Sequence, residues 1–180
     1  ESQVFDESQV PVPHPNPDRH LICFGTETTI GTTSTQDPMF IRWSDQDDFN
    51  SWTASATNSA GSQRVTGGSK IVTAVSTRGQ ILFLTDTSAH GMSFIGAPFT
   101  FGFQKLGTNC GAVSPHCAVD ISGIIYWMSS DGFYMFDGTV RKMPCTVEDF
   151  VFDNIDATQL EQVYAASNSA FGEVIWLYCS

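Results

Sequence analysis

The chain has 180 residues, a net charge of −11, 12% aromatic and 15% charged residues. That length allows one ordinary domain with a sizeable core. Charged residues fall well below the roughly 25% of a typical soluble domain, and Gly, Ser, Thr and Asn take their place, which suits short strands and turns and suits a helical bundle poorly. The eight basic residues are scattered: Arg19, Arg42, Arg64, Lys70, Arg78, Lys105, Arg141 and Lys142. Tight nucleic-acid binding needs clustered Lys and Arg to neutralise phosphates, so it is disfavoured. An acidic surface still suits a role beside DNA that must slide without sticking. No apolar run approaches a membrane span, and there is no signal-peptide pattern.

Residues 1–20 read as an extended Pro-rich arm or linker. Pro11, Pro13, Pro15 and Pro17 each fix φ and push the preceding residue out of the helical region. His14 and His20 lie here and read as solvated or locally hydrogen-bonded residues. Residues 21–180 read as sheet. "HLICFG" (20–25) is a short buried strand. "PMFIRWS" (38–44) is another, with Met39, Ile41 and Trp43 on one face and Phe40 and Arg42 on the other. Residues 45–69 read as loop. Asp45, Asp47 and Asp48 loosely match the start of a calcium loop that lacks its turn glycine and later ligands; turn and capping roles suit them better.

From Lys70 the pattern becomes regular. "IVTAVS", "QILFLTD" and "HGMSFIG" are strand-like, separated by the turns "TRG" and "TSA". "HCAVDI", "GIIYWMS" and "GFYMFDG" form a second set. "QVYAASNSAFGEVIWLYCS" supplies a first strand, a turn and a second strand of a third. Gly79, Gly123 and Gly172 precede the middle strands, 44 and 49 residues apart. A period of about forty to fifty residues with a three- or four-stranded meander per repeat predicts an antiparallel β-propeller, here a partial one. Trp127 and Tyr126 should then be buried between sheets, and Asp131-Gly132 and Asp137-Gly138 should be turns needing positive φ. Phe150, Val151, Ile155 and Leu160 predict one short helical insertion near 147–162. The last repeat is cut short, which predicts either a piece of a longer polypeptide or missing strands supplied by a neighbouring copy.

Chemical motifs are sparse. The cysteines, Cys23, Cys110, Cys117, Cys145 and Cys179, form no CxxC. Cys110 and Cys117 are close enough in sequence to pair, and His116 lies beside one of them, but small buried apolar roles fit all five better. There is no phosphate loop, nucleophile elbow or nucleotide fingerprint. The sequence therefore predicts no catalytic residues, no cofactor and no metal. The carboxylates open to a paired glycosidase role are Asp45, Asp48, Glu148 and Asp149.

The stretches "IRWSDQDDFNSWTASATNSAGSQRVTGGSKIVTAV" and "RGQILFLTDTSAHGMSFIG" carry a resemblance, with "FGFQKLGTNCGAVSP", "GIIYWMSSDGFYMFDG" and "MPCTVEDFVFDNI" following in order. Across residues 38–180 the chain resembles the tail nozzle proteins of tailed bacteriophages, the group that includes podovirus tail tubular protein B and related tail-hub propellers. The resemblance implies a virion structural protein with no enzymatic activity. It implies a homo-oligomeric ring, six-fold in the family, docked to portal, adaptor and other tail proteins. DNA would pass through the ring's channel without sequence-specific contact. Members of the family are longer than 180 residues. The alternative is a β-propeller binding module for a glycan or host receptor, with Trp52 as its first stacking residue.

Overall fold

In a computed structural model, residues 12–15 and 18–180 are described. Much of the expected N-terminal arm, residues 1–11 and 16–17, lies outside them. The structure is 45% strand and 8% helix, arranged as four antiparallel sheets, none closed on itself. The first sheet runs β1 (Val12–Pro15), β2 (Leu21–Phe24), β3 (Phe40–Trp43) and β4 (Gly61–Arg64) in chain order. The second runs β5 (Ile71–Ser76), β6 (Ile81–Thr85), β7 (Ser88–Gly96) and β8 (Thr100–Thr108). The third comprises β9 (Ala118–Ile121), β10 (Ile124–Ser129), β11 (Gly132–Phe136) and β12 (Val140–Lys142). A hairpin of β13 (Tyr164–Asn168) and β14 (Glu173–Leu177) follows. No helix among the described residues is long and apolar enough to cross a membrane.

The chain forms two units, one of Glu1–Ile71 with Ser93–Gly102, the other of Val72–Met92 with Phe103–Ser180. In the first, alternation along β3 decides what is buried. Met39, Ile41 and Trp43 are buried, whereas Phe40 and Arg42 are half-exposed. Phe101 packs edge-on against Trp43 with centroids 5.3 Å apart, a preferred aromatic geometry. β4, with sequence GSQR, falls inside the stretch read as loop. It has no apolar alternation and is a strand because its backbone pairs with β3, Trp43 opposite Gly61. A Cβ on Gly61 would stand 2.5 Å from the Trp43 ring, so this position needs its missing side chain.

The second unit has one continuous core. β6 is buried on both faces from Ile81 to Thr85, and Leu82, Leu84, Ile125, Trp127, Met128 and Val163 are almost wholly excluded from water. Gly79, Gly123 and Gly172 have φ of +90°, +87° and +67° and open β6, β10 and β14. At Gly123 the reason is plain: Ser122 and Gly123, both at positive φ, form a two-residue turn between the paired residues Ile121 and Ile124, the geometry that matches strand twist. Each first turn therefore sits where the repeat places it.

Several local expectations are corrected. The β6–β7 turn is Asp86-Thr87, since Ser88 and Ala89 already belong to β7. The β10–β11 loop is Ser130-Asp131; Gly132 already pairs with Ser129, and Asp131 is not among the residues at positive φ. Trp127 is 0% exposed, as the repeat requires, but Tyr126, on the other face of β10, is only half-buried. The helical insertion is α1 (Glu148–Asn154), with a single 3-10 turn at Leu160–Gln162. Phe150 points to solvent, and Phe152 instead packs on Phe133 at 5.8 Å. Glu148 and Asp149 occupy the first turn of α1, where the helix dipole favours acids.

Candidate functional site

The residues that could carry chemistry fall in three places. The first is the polar cluster of the first unit. His20 immediately precedes β2 and is buried beneath two rings of the β7–β8 tip, Phe94 at 5.6 Å and Phe101 at 5.1 Å. Its Nε2 lies 3.1 Å from Ser59 Oγ, and the Ser59 hydroxyl donates to Asp45 Oδ1 at 2.6 Å. A hydroxyl has one proton, so His20 is assigned the tautomer that donates from Nε2. Ser59 Oγ also accepts the Gln46 amide at 2.9 Å.

These three residue types compose a nucleophilic triad, but the order is wrong. Catalysis needs the imidazole between serine and carboxylate, so that it takes the hydroxyl proton. Here serine stands between the two, gives its proton to Asp45, and accepts from two N–H groups. The cluster closes a loop. Asp45 also accepts the amides of Ser59 and Gln46, and these bonds, led by the Ser59 hydroxyl, hold its carboxyl below the usual range.

His20 gives a pH prediction. Burial lowers its pKa, outweighing Asp18, Asp45 and Asp47, which favour the cation. The unfolded chain then binds the proton more readily. Stability of this unit is fully present above the unfolded value of about 6.5 and is lost as pH falls toward the lower folded value. Denaturation midpoints taken from pH 7 to pH 5 should fall, and His20→Gln should flatten that fall. An unchanged slope in the variant would assign the transition to another group.

The second place is the buried Ser88–His90 pair of β7. His90 Nε2 lies 2.9 Å from Ser88 Oγ, which is 3.0 Å from Thr85 Oγ1. Phe83 stacks on the imidazole at 5.1 Å. Ser88 is 1% exposed, so no substrate carbonyl reaches its oxygen. Sequence reasoning missed this network because its polar residues lie at strand positions that read as ordinary alternation.

The third place is an open groove of about 500 Å³ between β12 and α1, lined by Lys142–Thr146, Glu148 and Asp149. Lys142 Nζ lies 2.8 Å from Glu148 and donates to the Asp131 carbonyl at 2.6 Å. The only cation of the groove is thus engaged locally, and Glu148 raises its pKa.

Of the carboxylates named from the sequence, Asp45, Asp48 and Glu148 serve turns and ion pairs. Asp48 accepts the Asn50 amide at 3.0 Å, and Asp47 pairs with Arg19 at 3.0 Å. Asp45 and Asp48 belong to one unit, Glu148 and Asp149 to the other. Asp137 binds Thr139 and Arg141 across its own turn, and Asp131 faces the Tyr134 hydroxyl at 3.3 Å. No group of three or more His, Cys, Asp or Glu among the described residues is arranged to hold a metal. Cys110 and Cys117 are separate buried thiols: Cys117 donates to the Met128 carbonyl, and burial pushes both thiol pKa values up. The His116 ring rests on Tyr164 at 5.5 Å. Trp52 is half-buried in its loop.

A recurring contact that sequence reading did not find links the tryptophans to the fold. Trp43 donates its indole N–H to the Ser59 carbonyl at 2.9 Å, Trp127 to that of Cys110 at 2.8 Å, and Trp176 to that of Cys117 at 3.0 Å. Trp127 and Trp176 each stand four residues after a turn glycine, Gly123 and Gly172. No protein-family model matches the chain, and no curated protein matches it. The geometry itself therefore supports a reading through surfaces and sheets. Exposed large apolar side chains include Ile30 and Phe49 in loops of the first unit, Ile95 and Phe99 at the β7–β8 tip, Val147 and Phe150 at the start of α1, and Tyr164, Phe171, Ile175 and Leu177 on the β13–β14 hairpin.

Proposed function

We propose that this chain is a virion structural protein of a phage tail, part of the nozzle ring around the DNA exit channel. The observation that carries the reading is the succession of three four-stranded antiparallel meanders and a hairpin, laid down in chain order with Gly79, Gly123 and Gly172 at corresponding turns. On this reading each sheet is a propeller blade, and the buried aromatics are blade-to-blade filler. The ordered motifs that resemble tail nozzle proteins supply the family. The polar clusters support it in a second way, because Ser59 and Asp45 bond to hold a loop and Thr85 and Ser88 bond across the β6–β7 turn. With a net charge of −11 the protein repels DNA and lets it pass without sticking.

The reading predicts homo-oligomeric rings, six-fold as in the family, docked to portal and adaptor proteins. Electron microscopy of purified virions with the chain labelled by antibody is the direct test. Label at the tail below the portal is the expected result. Virions that lack the chain, or carry it on the capsid, overturn the proposal.

A further inference from the structure

Strand-to-strand turns are usually built from Gly, Pro, Asn, Asp and Ser, so that polar or small groups face the water. The turn between β7 and β8 departs from this. Residues 94–99 read FIGAPF, with no polar side chain among them. Phe94, Ile95 and Phe99 are all exposed, Phe99 at 72%. The uncharged stretch is longer still. Asp86 and Lys105 are the nearest charged residues on either side, and the 18 residues of 87–104 hold no Asp, Glu, Lys or Arg. Consecutive exposed apolar residues favour aggregation, and they persist where a surface uses them.

The base of this tip is fixed. Phe101 packs on Phe94 with centroids 5.8 Å apart, and both rings cover His20. The Thr100 hydroxyl donates to the Ser59 carbonyl at 3.0 Å. Gly102 leaves room for Ile95, since a Cβ there would stand 3.2 Å from an Ile95 methyl. Ile95 and Phe99 are thus held outward on an anchored support. The backbone of the tip is also suited to an apolar medium. β7 and β8 are hydrogen-bonded to each other, and the Phe99 carbonyl accepts the Phe101 amide at 2.7 Å. Pro98 has no N–H to leave unpaired.

Size and chemistry identify the occupant. A stable protein interface, including one between two copies, takes roughly 20–30 residues a side with a polar rim. This tip offers three large side chains on a turn, with no polar side chain beside them from 94 to 99. A lipid surface needs neither area nor rim. A few uncharged apolar side chains enter the boundary between headgroups and acyl chains, and a paired backbone brings few unsatisfied polar groups with it. We propose that the β7–β8 tip inserts Ile95 and Phe99 into a lipid surface of zwitterionic headgroups. The net charge of −11 sets the chain against anionic headgroups. A single tip binds weakly, and several tips carried side by side add their affinities. The tip lies outside the groups that support the nozzle reading, and its lipid contact does not depend on that reading.

The test mixes the whole chain with phosphatidylcholine vesicles at millimolar lipid and measures the bound fraction by flotation. The parent should float with the vesicles, and less of it should float with phosphatidylglycerol-rich vesicles at low salt. Phe99→Ser and Ile95→Ser should each lower the partition coefficient about tenfold, the worth of one inserted apolar side chain. Both positions are exposed, and circular dichroism checks that the fold is kept. Phe171→Ser, an equally exposed change on the β13–β14 hairpin, should leave partition as it was. Phe99→Trp places an indole at the tip, and bromine-labelled lipid should quench this variant more than the parent. A parent that stays unbound, equal partition of Phe99→Ser, a loss with Phe171→Ser as large as with Phe99→Ser, or no added quenching would each overturn the proposal. So would lipid-free self-association in sedimentation that Phe99→Ser abolishes, which assigns the tip to a second copy. Vesicle binding and antibody label on the virion are read separately, so either can fail alone.

Discussion

Replacing Trp127 with alanine should destabilise the second unit by about 3–5 kcal/mol, the usual cost of emptying a large aromatic site. The side chain is 0% exposed, stacks on Tyr134 at 5.8 Å and sits at the centre of the core cluster. Its indole also donates to the Cys110 carbonyl, so deletion removes packing and a buried hydrogen bond together. Trp127→Phe separates the two. It keeps most of the apolar volume and leaves the Cys110 carbonyl without the indole, which should cost about 1–3 kcal/mol. Urea unfolding followed by circular dichroism would measure both. A Trp127→Ala variant within about 1 kcal/mol of the parent would show that the indole is not central to this core.

Gly111→Ala should be nearly as damaging for a different reason. An added Cβ would lie 2.2 Å from the carbonyl carbon and oxygen of Asp86 and 2.3 Å from the Thr87 nitrogen. These are backbone atoms, which do not swing aside as a side chain would. The neighbours on either side are fixed as well: Cys110 N–H donates to the Thr87 carbonyl at 3.2 Å and Ala112 N–H to that of Thr85 at 2.9 Å. Gly111 therefore sits where the chain before β9 presses against the β6–β7 turn. Relief requires breaking one of those bonds or moving the turn, at about 3 kcal/mol or more for overpacking combined with lost hydrogen bonds. Thermal unfolding of Gly111→Ala would check this, and a midpoint near the parent's would mean that the turn yields more easily than its bonds imply.

Both changes act through backbone carbonyls held by unlike groups, an indole in one case and a neighbouring amide ladder in the other. The same device recurs at Trp43 and Trp176. It converts a bulky core residue into a clamp on an irregular segment, which otherwise would bury unsatisfied carbonyls. Long connections in this chain can therefore pack closely without regular structure of their own.

The sequence by itself determined where the chain alternates and that a glycine turn precedes each middle strand. Met39, Ile41 and Trp43 face inward because a strand places every second side chain on one side. Ser122-Gly123 turns because only a small or glycine-containing pair accepts two positive φ values cheaply. These are local effects, decided within a few residues. Tertiary structure alone decided that GSQR at Gly61–Arg64 is a strand, since its order comes from the backbone of β3 and not from its own apolar pattern. It also decided that Phe152 rather than Phe150 is packed, because α1 meets Phe133 on one side only. Above all it placed Ser59 between His20 and Asp45. Those residues are far apart in the chain. Their meeting depends on which strand pairs with which, and residue types alone do not carry that information.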